Sequence, residues 1–459
     1  MLGATAALEK AYKQKGYQTV SVSLPEQAGR RGVVFLQVTE AKVGRLRVHG
    51  SRYFALDKIK AKVPSLSEGK VPNFNDVSRE IVGLNQWADR RVTPELRPGA
   101  IPGTVDIDLN VKDTLPLHGS LELNNRYSAD TKPLRVSGSL SYHNLWQLGH
   151  VISASFQIAP QDLDQVKVFS GYYLVRFSGL DWLSLLVQGV KQNSNVSTLG
   201  SVAVAGRGEV IGARALITLP ARNDFFHSAS LGIDYKHFDQ EVGLSATGTT
   251  TTPISYYPLS FTYTATWLAK HYSTVLNAGV NLHLRGMGSG SQQFDENRFN
   301  ADGNYICFRG DLSHTQKLPG GFELFGKVQG QLADQPLISS EQSGGGGVGT
   351  VRGYLEAEVL GDNAGFGTLE FRSPSVLGWW GRKDSEWQLY AFAEGGLLAI
   401  HDPLPEQTSR FQLASIGVGS RVKFFDSFNG ALDLALPLIS QTHTQAHDLF
   451  LSFRLGADF

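Results

Sequence analysis

From residue 114 to Phe459 the chain alternates apolar and polar side chains with a period of two. In 276–285, Leu276, Ala278, Val280, Leu282 and Leu284 alternate with Asn277, Gly279, Asn281, His283 and Arg285; in 322–332, Phe322, Leu324, Gly326, Val328, Gly330 and Leu332 alternate with Glu323, Phe325, Lys327, Gln329 and Gln331. Successive side chains of a strand point to opposite faces, so each segment has one apolar and one polar face. Sixteen such segments follow one another, near 117–126, 134–142, 150–158, 166–177, 184–193, 205–218, 226–238, 256–267, 272–285, 304–315, 321–333, 364–373, 387–398, 411–424, 429–438 and 448–459. An even number of two-faced strands can close on itself and leave no unpaired edge. The expected fold class is mainly β: a 16-stranded transmembrane β-barrel over 114–459, preceded by an α+β region.

A stack of soluble β-sandwiches would show the same alternation. Three features favour the barrel. The strand count is even. Aromatic pairs fall at segment ends (Tyr172-Tyr173, Phe225-Phe226, Tyr256-Tyr257, Trp379-Trp380, Phe424-Phe425), where membrane-interface girdles belong. The chain also stops on a strand: Leu449, Leu451, Phe453, Leu455, Ala457 and Phe459 share one face, opposite Ser452, Arg454, Gly456 and Asp458.

No stretch reaches the roughly 18 to 20 consecutive apolar residues of a membrane helix, whereas barrel strands need only about 9 to 11 alternating residues. A mean hydropathy of −0.15 is therefore compatible with a membrane barrel. With 42 basic and 42 acidic residues there is no net field to attract nucleic acid. Cys307 is the single cysteine, which excludes an intramolecular disulfide and a cysteine metal cluster; it reads as packing. Met1-Leu2-Gly3 leads directly into polar helical sequence, without a signal-peptide core, and the expectation is that such a peptide has been removed.

The first 113 residues have a different pattern. A helix is predicted over Ala4 to Lys13, strands over Thr19 to Leu24, Val33 to Val38 and Gly44 to Val48, helices over Ala55 to Val63 and Asn75 to Trp87, and strands near Val92 to Leu96 and Val105 to Val111. From Gly44 this is a strand-helix-helix-strand-strand order. Residues 43–113 resemble a complete POTRA domain, and 1–42 resemble the last helix and two strands of a preceding one; a generic small α+β domain would give the same order.

Between the eleventh and twelfth segments lies a long loop, about 334–363, containing Ser339-Ser340-Glu341-Gln342, the glycines 344–347, Val351-Arg352-Gly353-Tyr354 and Gly361-Asp362, followed by Leu369-Glu370-Phe371-Arg372. The order of α+β arm, sixteen strands, Val-Arg-Gly-Tyr loop and terminal Phe resembles the two-partner secretion transporters, the haemolysin secretion/activation type (TpsB), within the POTRA-plus-barrel outer-membrane superfamily. The resemblance covers essentially the whole chain. Where that family has Phe-x-Asp-Gly on its thirteenth strand, this chain has Phe392-Ala393-Glu394-Gly395, a longer acidic arm.

The resemblance implies a loop folded back into the lumen, with Val351, Arg352, Gly353 and Tyr354 as its motif and Glu394, Phe392, Gly395, Glu370 and Arg372 as wall partners. Periodicity independently turns Gln388, Tyr390, Phe392 and Glu394 to the lumen, with Glu370 and Arg372. An Arg away from bulk water needs a carboxylate; Glu394 is the first choice and Glu370 the second, against a simple solvated loop Arg. The resemblance also implies a C-terminal assembly signal in Phe453, Leu455 and Phe459, read by the barrel-assembly machinery. The implied protein is a monomeric outer-membrane pore with its N-terminal domains in the periplasm. It recognises the N-terminal secretion domain of a large unfolded TpsA-like exoprotein and secretes it without nucleotide hydrolysis. Outer-membrane lipid is its other partner.

Other motifs fail on context. Gly344, Gly346 and Gly349 match G-x-G-x-x-G without a βαβ unit and read as flexible loop. Gly286-Met287-Gly288-Ser289-Gly290 has Gly288 where a nucleophile elbow needs serine. The 12 His residues are scattered, and His283 reads as a solvated wall residue. No catalytic, cofactor or metal constellation is found. An insertase of the same superfamily, a passive porin and an outer-membrane enzyme stay open as alternatives; a porin would lack the N-terminal arm.

Overall fold

The computed structural model describes residues 2–27, 33–177, 179–193, 196–197, 204–205, 207–243, 249–380, 385–425 and 427–459. They form two compact units, Met1–Leu117 with Tyr142–His150, and His118–Ser141 with Val151–Phe459.

In the larger unit sixteen strands close a barrel. They are β1 (Leu117–Asn124), β2 (Arg135–Leu145), β3 (His150–Ile158), β4 (Lys167–Arg176), β5 (Leu183–Asn193), β6 (Arg207–Thr218), β7 (Phe225–Gly243), β8 (Thr249–Tyr256 with Leu259–Leu268), β9 (Tyr272–His283), β10 (Tyr305–Lys317), β11 (Glu323–Ala333), β12 (Asn363–Arg372), β13 (Ser385–Ala399), β14 (Arg410–Phe424), β15 (Phe428–Pro437) and β16 (Phe450–Asp458). Closure runs from Arg454↔Asn124 to Asp458↔Ser120, and Phe459 and Gly119 exchange backbone hydrogen bonds at 3.0 Å beyond it.

The eighth strand departs from its expected span. It begins earlier and is interrupted at Tyr257-Pro258, while β7 runs unbroken past both halves. Proline has no N–H to give to a ladder, and here Asp234 N–H donates to the Pro258 carbonyl (3.1 Å), so the pairing bridges the gap from the other side.

The barrel is apolar outside. Ile211, Leu231, Phe308, Val328, Leu369 and Val418 all stand outward and exposed, as a lipid-facing band requires. The aromatic pairs are not all girdle residues. Phe226 and Phe425 are exposed, but Tyr256 is fully buried inside, and the side chains of Trp379 and Trp380 lie outside the described residues. Among the described residues no helix is long and apolar enough to cross a membrane.

In the smaller unit, Lys42–His49 pairs in parallel with Thr104–Asp113, which pairs antiparallel with Arg90–Pro98. Helices Leu56–Ala61 and Phe74–Leu84 cover that sheet. The second starts at Asn73, whose side chain accepts from Asn75 N–H (3.0 Å). Val43, Leu46, Ile59, Val77, Ile107 and Leu109 form its core. The helix Leu2–Gln14 precedes a two-stranded ribbon, Val20–Ser23 with Gln37–Glu40. The second ribbon strand lies later than the expected Val33 to Val38: Val33 and Phe35 are exposed, so the apolar run is not the paired segment.

Candidate functional site: the inserted loop and its anchors

Residues 334–362 connect β11 to β12 and enter the barrel. Ser343–Gly345 pairs with Val359–Gly361 as a short hairpin, and the residues between them form its tip. Gly344 and Gly345 belong to the paired strand, and Gly346 and Gly347 begin the tip with positive φ. Gly346 has φ +106°, and a Cβ there would come within 2.3 Å of the Leu355 carbonyl.

Arg352 is 3% exposed at the tip, surrounded by carboxylates from three strands. Its Nη2 donates to Glu394 Oε1 of β13 (2.6 Å) and to Glu370 Oε1 of β12 (2.7 Å), and its Nη1 to Asp433 Oδ1 of β15 (3.0 Å). Its Nε also reaches Glu394 Oε1 (3.0 Å), and its backbone N–H donates to Glu394 Oε2 (2.7 Å). The guanidinium lies 3.6 Å from the centre of the Phe392 ring. Burial disfavours the charged guanidinium, but the Glu394, Glu370 and Asp433 carboxylates outweigh it and raise the pKa, keeping Arg352 charged. Arg372 (2.7 Å) and Arg421 (3.1 Å) also pair with Glu370, and Tyr390 Oη donates to Asp433 (2.6 Å). Three guanidinium groups thus meet three carboxylates.

Neighbours fix the tip by shape. Val351 and Tyr354 are buried with Val359, Phe366, Leu398 and Leu413. The single Tyr354 hydroxyl proton is shared between the carbonyls of Ala414 (3.0 Å) and Ile439 (2.8 Å). Gly353 has φ +94° and lies against Ala435 and Pro437, where a Cβ would be 3.2 Å from Ala435 Cβ. The Glu356 N–H donates to the Tyr127 carbonyl beyond β1 (2.9 Å).

The loop's root carries a second cluster. Glu341 is fully buried and accepts from Lys236 Nζ of β7 (2.5 Å), Tyr256 Oη of β8 (2.8 Å) and Arg309 Nη2 of β10 (3.3 Å). Burial would raise its pKa, but the two cations outweigh that and hold it at about 2. On the exit leg, buried Asp362 accepts from Leu337 N–H (2.9 Å), Gln342 Nε2 (2.9 Å) and His401 N–H (2.7 Å).

A family model described as haemolysin secretion/activation protein ShlB/FhaC/HecB matches residues 103–422, well over half of the chain. The chain belongs to that family. A second model, the ShlB-type POTRA domain, matches residues 2–41. The outer membrane transporter CdiB of Dickeya dadantii is 22% identical over 472 residues, covering 98% of this chain and 78% of that protein. CdiB from Escherichia coli has the same fold, with a TM-score of 0.70 at 18% identity over 100% of this chain and 84% of that one. BamA from Haemophilus ducreyi lacking POTRA domains 1-3 gives a TM-score of 0.64 at 13% identity, covering 100% of this chain and 94% of that one. As a member of the haemolysin secretion/activation family, the chain is an outer-membrane transporter of the two-partner secretion class, with its POTRA region in the periplasm.

Within this transporter, Arg352, Glu394, Glu370, Phe392 and Arg372 come together in one cluster. Gly395 does not. The two-residue period of β13 puts it on the outer face with Ala391 and Ala393, while Gly396 lies on the lumen face, its Cβ position 3.3 Å from Val351. His283 is buried rather than solvated, with its ring nitrogens at the carbonyls of Gly303 (2.5 Å) and Met287 (2.8 Å). Leu455 on β16 and Phe459 just beyond it are exposed, as the alternation requires. Asp433, Arg421, Lys236 and Arg309 were missed as members. A charged residue at a lumen-parity position, such as Asp433 between Leu432 and Leu434, is the signal that could have found them.

Proposed function

We propose that the 334–362 loop is the working part of this exporter, held in the lumen by Arg352 and moved aside when an unfolded exoprotein passes. What supports this reading is the burial of Arg352 among Glu394, Glu370 and Asp433. An ion cluster of this kind is costly to assemble and gives position more than stability. Residues 1–42 would be the C-terminal part of one POTRA domain and 43–113 a second, recruiting cargo by strand addition, because main-chain pairing accepts many sequences. No nucleotide is needed in this scheme, since folding of the cargo outside the cell can draw it through. Phe453, Leu455 and Phe459 would form the signal for the barrel-assembly machinery, and the transporter would work as a monomer.

Arg352→Ala tests the reading. Export of the cognate exoprotein should be nearly abolished while the barrel still inserts and still shifts in mobility on boiling. Normal export from this variant would sink it. Exchanging Arg352 and Glu394 is not expected to restore export, because Glu370 and Asp433 would then face a carboxylate. Loss of many different outer-membrane barrels in cells lacking the protein, with no secreted protein missing, would favour an insertase instead.

A further inference from the structure

Resting on that role for Arg352, we infer that Glu341 is a second positioning residue for export, pinning the loop's root so that only the 343–361 hairpin moves. The two ion clusters are held by different strands. Arg352 is gripped by β12, β13 and β15, whereas Glu341 is gripped by β7, β8 and β10. The root is also closed on itself. Arg309 Nη2 (2.6 Å) and Gln331 Nε2 (3.1 Å) donate to the Glu341 carbonyl, and the same Gln331 nitrogen donates to the Asp362 carbonyl (3.0 Å), so one wall amide joins both legs. Asp362 in turn receives Leu337 N–H and Gln342 Nε2 from the entry leg. Leu337 and Ile338 are each 1% exposed.

The charge arrangement differs at the two ends in a useful way. At the tip the loop supplies the cation and the wall the anions; at the root the loop supplies the anion and the wall the cations. Neither end can take the other's place, so the loop cannot slide along the lumen and bind in a shifted register. A tip released from Glu394 therefore swings about a fixed root and returns to the same carboxylates.

Glu341→Gln keeps the shape and an acceptor for Tyr256 but removes the charge facing Lys236 and Arg309. The barrel should insert and show its normal shift on boiling. Export should fall about tenfold, following a tenfold fall in the docked-to-released ratio of the tip. A Val351→Cys reporter, buried when the tip is docked, should react faster with a membrane-impermeant maleimide once Glu341 is neutralised; native Cys307 is itself buried. In an Arg352→Ala background Glu341→Gln should change neither reading further, because it acts through the tip. Tyr256→Phe, which deletes one hydrogen bond, should shift labelling in the same direction by less, and carries the test if Glu341→Gln fails to insert. Normal export and labelling in Glu341→Gln, with export lost in Arg352→Ala, would overturn the inference alone. Additive effects in the double variant would also overturn it, by giving Glu341 a separate structural role. Normal export in Arg352→Ala would remove the reading on which it rests.

Discussion

The two units of this chain solve burial in opposite ways. Residues 1–117 place Val43, Leu46, Ile107 and Leu109 inside, and put Arg47, Arg97 and Asp108 together on the sheet's outer face. The barrel places Phe308, Val328 and Val418 outside and buries Glu341, Arg352, Asp362 and Glu370. The difference lies in the solvent each face meets. Water drives apolar side chains inward, while lipid accepts them and leaves the barrel's interior to polar groups and the loop. In the smaller unit the buried charges Arg90 and Asp108 flank an apolar core, but in the barrel charges carry the internal architecture.

The comparison can be broken most severely where charge is buried. Glu394→Ala leaves Arg352 short of its closest carboxylate, and breaking such a buried pair costs about 3 to 5 kcal/mol. Because Glu370 and Asp433 remain, the expected result is a displaced loop in an intact barrel, read as new protease sensitivity near 343–361 with unchanged mobility on boiling. In the smaller unit the corresponding core change is apolar. Leu109→Ala should cost about 2 to 5 kcal/mol, read as protease sensitivity of residues 1–117 of the full chain at lower urea. The outer face of the barrel should respond to charge instead of to lost volume: Val418→Arg, midway along β14, should cost about 2 to 4 kcal/mol in urea titrations of folding into bilayers. If Val418→Arg were neutral, the lipid-facing assignment would fail.

Acid should produce the smallest effect. Glu341 is held at about 2, below an ordinary carboxylate near 4.3. A group with a lowered folded pKa contributes stability that is complete above the unfolded value and lost as pH falls through the folded one. Protection of the loop root against pepsin should therefore persist through pH 4 and fail only toward pH 2. Glu356, at the tip, has the opposite sign. Burial raises its pKa against the Val348 N–H, Arg126 and Arg135, so its burial destabilises the docked tip increasingly as pH rises. Glu356→Gln should slow Val351→Cys labelling at neutral pH and leave it unchanged in acid.

Strand number and most strand positions were legible because lipid outside and polar lumen inside impose a strict two-residue period. Where the period breaks, as at Tyr257-Pro258, reading was poorer, since a proline gap looks like a strand end until the neighbouring strand is seen to continue past it. Aromatic residues misled for a related reason: Tyr256 ends a segment in the sequence but turns inward to Glu341. The acids suggested for Arg352, Glu394 and Glu370, lie beside it, and parity with charge was enough to nominate them. Gly395 was nominated through a family pattern, although parity places it outside.

The sequence by itself determined the sixteen two-faced strands, the family, and the loop that had to find carboxylates, because period, motif and charge are local properties. Only the tertiary structure decided that Asp433 and Arg421 complete the tip cluster and that Lys236 and Arg309 enclose Glu341. Lys236 and Glu341 are 105 residues apart, and Arg352 and Asp433 are 81 apart. No pattern within one strand can show which strands lie beside the loop. Barrel closure and the loop's path through the lumen set those meetings, because each buried charge must find its partner within a few ångströms.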